Sequence, residues 1–182
     1  MEWKKEHDPE NRLTALDTGA ASGRLGVIAL ATQRHLLQTR DMDKTIAFAR
    51  EAVARCEEYV FLEKLQYLAA GGRLSKTSAF FGDMLKMKPV ISPQPEGAKK
   101  MGVVRNRKEQ ISMAQDKLAA ALGRDDSALI MLEYSDNSDM VAELRETIGR
   151  LYPQADIILQ PLSLTSGAHM GPGTWGVAFL KL

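Results

Sequence analysis

One short segment near the end of the chain, residues 166–174, combines a titratable side chain with unusual backbone freedom. It reads Ser-Gly-Ala-His-Met-Gly-Pro-Gly-Thr, so three glycines and a proline surround the imidazole of His169. Glycine permits sharp turns and a close approach of the backbone to a ligand, and imidazole can donate a hydrogen bond or move a proton near neutral pH. The chemistry open to this segment is therefore anion binding or proton transfer.

Other kinds of site find little support in the residue types. The chain has one cysteine, Cys56, and three scattered histidines, which exclude an internal disulfide and provide no set of metal ligands. No glycine fingerprint for a phosphate or a dinucleotide is present. An enzyme that uses His169 in acyl or phosphoryl transfer is a weaker hypothesis, since the sequence places no serine, cysteine or carboxylate partner beside it. We expect no metal and no cofactor.

The overall composition is that of an ordinary globular protein of 182 residues. Charged residues make up 26% of the chain and the formal net charge is +1, so no global field attracts nucleic acid. The first dozen residues are charged and polar, without a secretory signal. No apolar run approaches the roughly 18 residues that a membrane span needs. We expect a cytoplasmic protein without a membrane span that does not bind nucleic acid.

The elements that position the segment around His169 follow an α/β pattern. Residues 128–134 and 156–162 are apolar runs typical of buried strands, and the helical spacing over 138–151 predicts an amphipathic helix between them. Short joints between these elements imply a right-handed parallel crossover. The segment follows the second strand, at a strand end of the kind where open sheets bind ligands. Residues 175–182 return as a final strand.

Earlier parts of the chain predict a longer series of elements. Residues 1–12 have no apolar period and are expected to be a disordered lead-in. The remaining expectations are a short strand over Leu13–Asp17, a helix over 22–38 with Ser22 as its N-cap, a helix from Asp41 or Asp43, a strand over Tyr59–Leu62, a helix over Glu63–Ala70 that Gly71 and Gly72 stop, a helix from Ser75 through Phe80 and Leu85, paired strands over 88–92 and 101–104, and a helix over 107–122.

Several short stretches, taken in order, resemble the DegV family of bacterial fatty-acid-binding proteins. Each stretch is weak by itself, but the ordered set covers residues 13–182. The stretches are Leu16–Gly19 with Ser22–Gly26, Leu65–Leu68 leading into Gly71–Ser75, Leu85–Val90, Arg105–Arg107 and His169–Thr174.

The resemblance implies an α/β fold with two domains. Residues 59–182 would form the DegV-like C-terminal domain, a mixed sheet with packed helices and the right-handed βαβ crossover. Residues 1–58 would be the remnant of a truncated N-terminal α/β domain, a strand and two helices.

The resemblance also implies a lipid carrier rather than an enzyme. A family member buries one long-chain fatty acid between its domains, and a partner fatty acid kinase can phosphorylate the acyl carboxylate. Here Phe80 and Leu85 would contact the acyl tail, while His169, Gly171 and Gly173 would bind the head group through the imidazole and backbone amides. Arg73 would contact the kinase or a phosphorylated ligand; a structural ion pair is the alternative for this residue.

One departure from the family leaves a second reading open. The threonine and serine that chiefly hold the carboxylate in the family lie upstream of the strand that Leu13–Asp17 resembles, and Thr14, Thr18 and Ser22 are not their equivalents. The chain is therefore expected to be a fragment or a truncated member. The alternative function is an interaction or regulatory module that keeps the fold without binding lipid. Without the N-terminal sheet on which the helix over 22–38 would otherwise pack, this helix would have an uncovered apolar face, through which a homodimer could form.

Overall fold

The computed structural model describes residues 2–73 and 87–182, in which three helices come first and strands and helices are mixed thereafter. The helices are α1 (Glu2–His7), α2 (Ser22–Thr39), α3 (Met42–Arg55), α4 (Gln66–Ala70), α5 (Arg107–Ala121), α6 (Ser138–Leu151) and α7 (Leu164–Met170). The strands are β1 (Glu57–Phe61), β2 (Lys88–Gln94), β3 (Gly97–Val104), β4 (Ala128–Tyr134), β5 (Ala155–Pro161) and β6 (Trp175–Lys181).

All six of these strands form one mixed sheet in the order β3-β2-β1-β6-β4-β5. The expected pairing of β2 with β3 is confirmed as antiparallel, and β4 pairs with β5 in parallel, with α6 between them in the chain. The last strand, β6, inserts between β1 and β4 and runs antiparallel to both. The final strand of the chain thus joins the two halves of the sheet.

The strand after α6 differs from its prediction as a buried strand. β5 lies at the edge of the sheet beyond β4, and most of its residues are half-buried or exposed. Its central residues, Ile157, Ile158 and Leu159, still pack as partly buried side chains beneath the helices or at their margins. The apolar run correctly predicts that β5 is a strand. Its place at the edge of the sheet follows from the insertion of β6 between β1 and β4, which the run cannot show.

Helices cover both faces of the sheet, which explains why the central strands are apolar without alternation. On one face, α5 and α6 pack on side chains such as Phe61, Ile130 and Val177. On the other face, α2 and α3 pack on Leu129, Met131, Ala178 and Leu180. Beside them on this second face, α4 and α7 pack on Val60, Leu62 and Ile91.

The segment before α2 differs from the expectations in three ways. Residues 2–7 form a short helix. Asp8 comes directly after it and accepts the backbone N–H groups of Arg12 and Leu13. The expected strand over Leu13–Asp17 is wrong, because these residues pair with no strand in the described part of the chain. The N-cap position of α2 belongs to Ala21 rather than Ser22, whose hydroxyl instead reaches a carboxylate of the sheet.

The prediction that α2 leaves its apolar face uncovered is wrong for the side that faces the sheet. Val27, Ile28 and Ala31 of α2 are buried against β4 and β6. Their burial makes α2 and α3 part of the same layered body as β1 to β6. The outer side of α2 is more open and borders an apolar groove of about 420 Å³ that the preceding segment and α3 complete.

The remaining helix predictions agree with the structure apart from their ends. Asp41 caps α3 by accepting the backbone N–H of Lys44 at 3.0 Å, and Asn106 caps α5 by accepting from Glu109 at 3.0 Å. The helix expected over Glu63–Ala70 is shorter than predicted, since α4 begins only at Gln66. The helix expected from Ser75 through Phe80 and Leu85 lies outside the described residues.

Candidate functional site

The segment around His169 is half helix and half turn, whereas a loop was expected throughout. Ser163 caps α7 by accepting the backbone N–H of Ser166 at 3.2 Å, so residues 166–170 are helical. Gly171 ends the helix with φ +79° and ψ 170°. Gly173 follows with φ +77°, and then β6 begins. Side chains other than glycine rarely adopt these φ values, so the two glycines are required by the backbone itself.

Both glycines also allow neighbouring side chains to lie directly against the turn. The ring of Tyr67 on α4 occupies the place that a Cβ at Gly171 would need, and Glu63 lies 3.1 Å from the corresponding place at Gly173. The turn therefore packs on the segment that ends in α4. This contact joins two of the stretches, far apart in the chain, that carried the resemblance.

The backbone amides of the two glycines are hydrogen-bonded within the protein. Gly171 N–H donates to the carbonyl of Gly167 at 2.8 Å, and Gly173 N–H donates to the carbonyl of Ser135 at 2.6 Å. The expectation that they offer free donors to a head group is therefore wrong for this structure. Their role in ligand binding stays a prediction, and the conformation shown supports a shaping role.

His169 lies on α7 with its ring over Gly71, at the C-terminal end of α4. A Cβ at Gly71 would lie 3.1 Å from Cε1 of the imidazole and closer still to Nδ1. The histidine is half-buried. Gly71 thus has a second function besides ending α4, because only a glycine leaves room for the imidazole. The ring edge that remains accessible can still serve a ligand.

Beside the turn, one carboxylate forms ion pairs with two cations. Glu63 accepts from Nζ of Lys88 through Oε1 and from Nη2 of Arg107 through Oε2, the latter at 3.0 Å. All three side chains are partly buried, with 20–32% of their area exposed. One acid between two bases leaves an excess positive charge next to the turn, which favours an anion there.

Arg107 connects this charge to the backbone of the turn. Its Nη2 also donates to the carbonyl of Gly173 at 3.2 Å, and Asn137 donates to the same carbonyl at 3.0 Å. Its Nη1 is buried and has no hydrogen-bond partner among the described residues. A buried guanidinium N–H without an acceptor is unfavourable, so an anionic oxygen placed there would be strongly held.

A buried hydrogen-bond chain fixes the start of β6, which carries the turn. Indole Nε1 of Trp175 donates to Oε1 of Gln110 at 3.1 Å, and Nε2 of Gln110 donates to the carbonyl of Leu62 at 3.1 Å. Gln110 and Trp175 are completely buried. These hydrogen bonds hold α5, β6 and the end of β1 in register, and each polar group that takes part in them has a partner.

The other residues proposed from the sequence are less closely connected with this site. Arg73 is exposed and its Nη1 donates to the carbonyl of Gly71 at 2.8 Å, so it lies near the His169 ring without an ion pair in the described structure. Phe80 and Leu85, proposed for the acyl tail, lie outside the described residues.

Sequence reasoning missed the role of Glu63, Lys88 and Asn137. Arg107 was noticed only as part of the stretch Arg105–Arg107, and nothing in the spacing connected it to Glu63, 44 residues away. Sequence reasoning also missed Glu58 and Glu133, two acids buried in the sheet. A signal was present for Glu133, the one charged residue of β4, which is otherwise apolar or aromatic, whereas Glu58 follows another acid, Glu57, at the start of β1.

The described residues show neither a metal-binding cluster nor a helix that could span a membrane. Residues 2–73 and 87–182 contain no group of three or more histidine, cysteine or acidic side chains placed to hold a metal ion. None of the helices in these ranges is long and apolar enough to cross a membrane.

Comparison with known proteins provides the family context. A family model described as "Uncharacterised protein, DegV family" matches residues 2–182. The DegV domain-containing protein YteA of Lactococcus lactis is 27% identical over 172 residues, which are 93% of this chain and 58% of that protein. The chain thus spans less than two thirds of the length of such relatives.

Solved structures show the same fold. A Thermus thermophilus DegV family protein, described by its fatty acid binding, has a TM-score of 0.87 at 25% identity, over 100% of this chain and 65% of that one. The Streptococcus pneumoniae Fatty Acid Kinase (Fak) B3 protein, loaded with linoleic acid, has a TM-score of 0.83 at 20% identity, over 100% of this chain and 64% of that one.

Proposed function

Because the chain belongs to the DegV family, we propose that it takes part in binding a long-chain fatty acid in the cytoplasm. The observation that carries this proposal is the likeness of the whole chain to a relative described as fatty acid binding. The proposal concerns the protein to which these residues belong, since relatives extend well beyond the part that the chain matches.

The excess charge beside the turn is the part of the site suited to a carboxylate. Arg107 offers Nη1, and Lys88 adds a second cation beside Glu63. His169 would add a hydrogen bond from the accessible edge of its ring. We propose that these groups receive the acyl carboxylate, while Gly171 and Gly173 shape the turn that presents them. Phe80 and Leu85 remain the proposed contacts of the acyl tail.

The protein would act as a carrier and not as an enzyme. The charged side chains beside the turn would present the acyl carboxylate to a partner kinase, which would transfer the phosphoryl group to it. A relative of the same fold is described as a Fatty Acid Kinase B3 protein loaded with linoleic acid. Arg73, exposed near His169, is the proposed contact for the kinase or for the phosphorylated head group.

The domain assignment follows from the same family relation. We propose that residues 1–58 correspond to the end of the family's first domain and residues 59–182 to its second domain. Helices α2 and α3 would then be the part of the first domain that packs on the sheet described above, with their other side toward the rest of that domain. The apolar groove along the outer side of α2 supports this arrangement.

A fatty-acid titration of two matched arginine variants tests the proposal. We expect the longest natural polypeptide that contains these residues to co-purify with a fatty acid, detected by native mass spectrometry. Arg107→Gln should weaken binding of a fluorescent fatty acid about tenfold to a hundredfold, the value of a hydrogen bond to a charged group. Arg105→Gln is the control, since Arg105 is exposed and forms no side-chain contact with the turn in the described structure.

Two results would count against the proposal. One is a protein that never takes up fatty acid, and the other is equal binding by the Arg107 and Arg105 variants. Thermal unfolding of both variants separates a binding defect from a folding defect, because Asn137 still holds the carbonyl of Gly173 when Arg107 is changed.

The second candidate function is an interaction or regulatory module without a lipid. The observation that favours it is the internal use of the Gly171 and Gly173 amides, which leaves fewer donors for a head group. Titration of the 182-residue chain with the same fluorescent fatty acid distinguishes the two functions, because stoichiometric binding excludes the second. A homodimer through the outer sides of α2 and α3 is proposed with it, and light scattering measures the mass directly.

A further inference from the structure

Two carboxyl groups lie side by side in the middle of the sheet, apart from the site described above. Glu58 on β1 is opposite Ala178, and Glu133 on β4 is opposite Gly176, so both acids flank the central strand β6. They are 2% and 0% exposed. Their side chains share the face that α2 covers, between the two apolar clusters on that face. Acids are almost never buried so completely without a partner.

The first turn of α2 supplies the hydrogen bonds that these acids do receive. The hydroxyl of Ser22 donates to Oε1 of Glu133 at 2.6 Å, and the backbone N–H of Gly23 donates to Oε1 of Glu58 at 3.1 Å. Oε2 of each acid is buried and has no donor among the described residues. The acids therefore take the place of the missing side-chain cap on α2.

Glycine at two positions makes this close approach possible. A Cβ at Gly23 would lie 2.6 Å from Oε2 of Glu133, and one at Gly176 would lie 3.2 Å from the same oxygen. The start of α2 and the centre of β6 thus leave a space of carboxyl size. The space is specific to this pair and leaves no room for a larger group.

A shared proton satisfies the two remaining oxygens. Both carboxyls lie against Gly23, Glu58 by accepting its N–H and Glu133 beside its Cα, so they are neighbours, and a proton on one turns it into a donor for the other. Burial, with the charge of Glu133, raises the pKa of Glu58 well above its usual value, and burial also raises the pKa of Glu133. A metal cation is a poor alternative because the positive end of an 18-residue helix points at the pair.

Few other charges face the pair. Arg24 follows on α2, but its Nη2 donates to the carbonyl of Val53. Cys56, at the end of α3, is close enough for the charge of Glu58 to raise its pKa. Glu57 and Lys99 line a recess that Glu58 also borders. From β5 the neighbouring group is the uncharged amide of Gln160, and β6 contributes only Gly176 and Ala178.

We propose that Glu58 and Glu133 share one proton and form a pH-dependent latch that holds the first turn of α2 on the sheet. With the proton in place, the pair is a closed hydrogen-bonded unit. Without it, two buried negative charges repel each other at close range, and the least costly response is for the first turn of α2 to lift and admit water. The latch would control α2, which also forms one wall of the apolar groove.

The sign of the pH effect follows from the direction of the shifts. Both pKa values are raised in the closed state, so the closed state binds more protons than the open state. The latch is therefore complete at acidic pH, weakens as the pH rises above the usual carboxyl value of 4.5, and is lost above the raised pKa of the pair. Within that window the opening equilibrium constant rises about tenfold per pH unit for one proton.

Hydrogen exchange of the α2 amides measures the opening directly. In the intact chain, exchange at residues 23–27, corrected for the intrinsic pH dependence, should accelerate at least about tenfold between pH 5 and pH 8. Glu58→Gln, which keeps an acceptor for Gly23 and gains a donor for Glu133, should reduce this acceleration severalfold. Glu133→Gln should do the same and serves if the first variant does not fold.

Glu57→Gln is the matched control. Glu57 is the neighbouring acid on the same strand, it is exposed, and it accepts from the hydroxyl of Tyr59. This variant should keep the pH response of the wild type. A wild-type exchange rate that does not change with pH after correction would overturn the latch, and so would an unchanged response in both folded Gln variants. None of these results depends on whether the protein binds a fatty acid.

Discussion

The substitution Gly171→Ala tests whether the turn beside His169 is shaped by backbone conformation and by the Tyr67 ring together. Gly171 has φ +79° and ψ 170°, a region that is essentially restricted to glycine. The added Cβ would also fall on the Tyr67 ring, within 2.6 Å of three of its carbons. Two independent costs are therefore expected at one methyl group.

The combined cost of backbone strain and the Tyr67 clash at Gly171 can be compared with the cost at Gly72, where only backbone strain applies. Backbone strain contributes about 1 to 3 kcal/mol and the forced displacement of a packed ring about 1 to 3 kcal/mol, so Gly171→Ala should destabilise the protein by about 2 to 6 kcal/mol. Gly72 has φ +66° with nothing within 4 Å of its Cβ position. Gly72→Ala should therefore cost only about 1 to 2 kcal/mol.

Urea unfolding followed by tryptophan fluorescence measures both values. Trp175 is completely buried two residues beyond the turn, whereas Trp3 is 60% exposed and changes little. With a slope of about 2 kcal/mol per molar urea, the midpoint should fall by about 1 to 3 M for Gly171→Ala and by less than about 1 M for Gly72→Ala. Tyr67→Ala in the Gly171→Ala background should recover the part of the loss that is due to the ring.

Equal stability of the two glycine variants would show that the Tyr67 ring adds no cost at Gly171. The same conclusion would follow if Tyr67→Ala restored nothing, because the ring would then not be the obstacle. In that case the whole cost would belong to the backbone, and the contact between α4 and the turn would have no energetic importance.

Gln110→Leu should destabilise the protein by about 2 to 4 kcal/mol, because it leaves Trp175 Nε1–H and the carbonyl of Leu62 buried without partners. Thermal unfolding measures this loss of stability. The neutral control is Gln38→Leu, on the exposed side of α2. Burial raises the pKa of Cys56 from 9.0 to about 12, so iodoacetamide should alkylate the native thiol about a thousandfold more slowly at pH 8 than an ordinary cysteine. Normal reactivity in the native protein would show that α2 and α3 do not cover Cys56, and urea should restore the full rate.

Local sequence signals predicted most of the elements. The apolar run 128–134 coincides with β4, and Asp41, one of the two starts expected for the second helix, caps α3. Such features depend on neighbours a few residues apart, which a sequence displays directly. The expected strand over Leu13–Asp17 failed because a strand needs a partner, and partner choice is a property of the whole sheet.

The candidate site was only partly predictable for the same reason. His169 and its glycines stand close together in the sequence and were noticed at once. Arg107 and Glu63 form an ion pair across 44 residues, and no local pattern announces it. The sequence could not show that the Gly171 and Gly173 amides donate to carbonyls of the protein, because those bonds depend on where α7 and β4 end.

The sequence by itself determined the fold class, the order of most elements and the position of a glycine-rich turn with one imidazole. These follow from hydrophobic period and turn chemistry, which act over short distances along the chain. The tertiary structure alone decided that β6 lies in the centre of the sheet, that α2 closes over Glu58 and Glu133, and that Arg107 meets the turn. Such contacts join residues far apart in sequence, and their energies depend on burial and distance that only the folded chain defines.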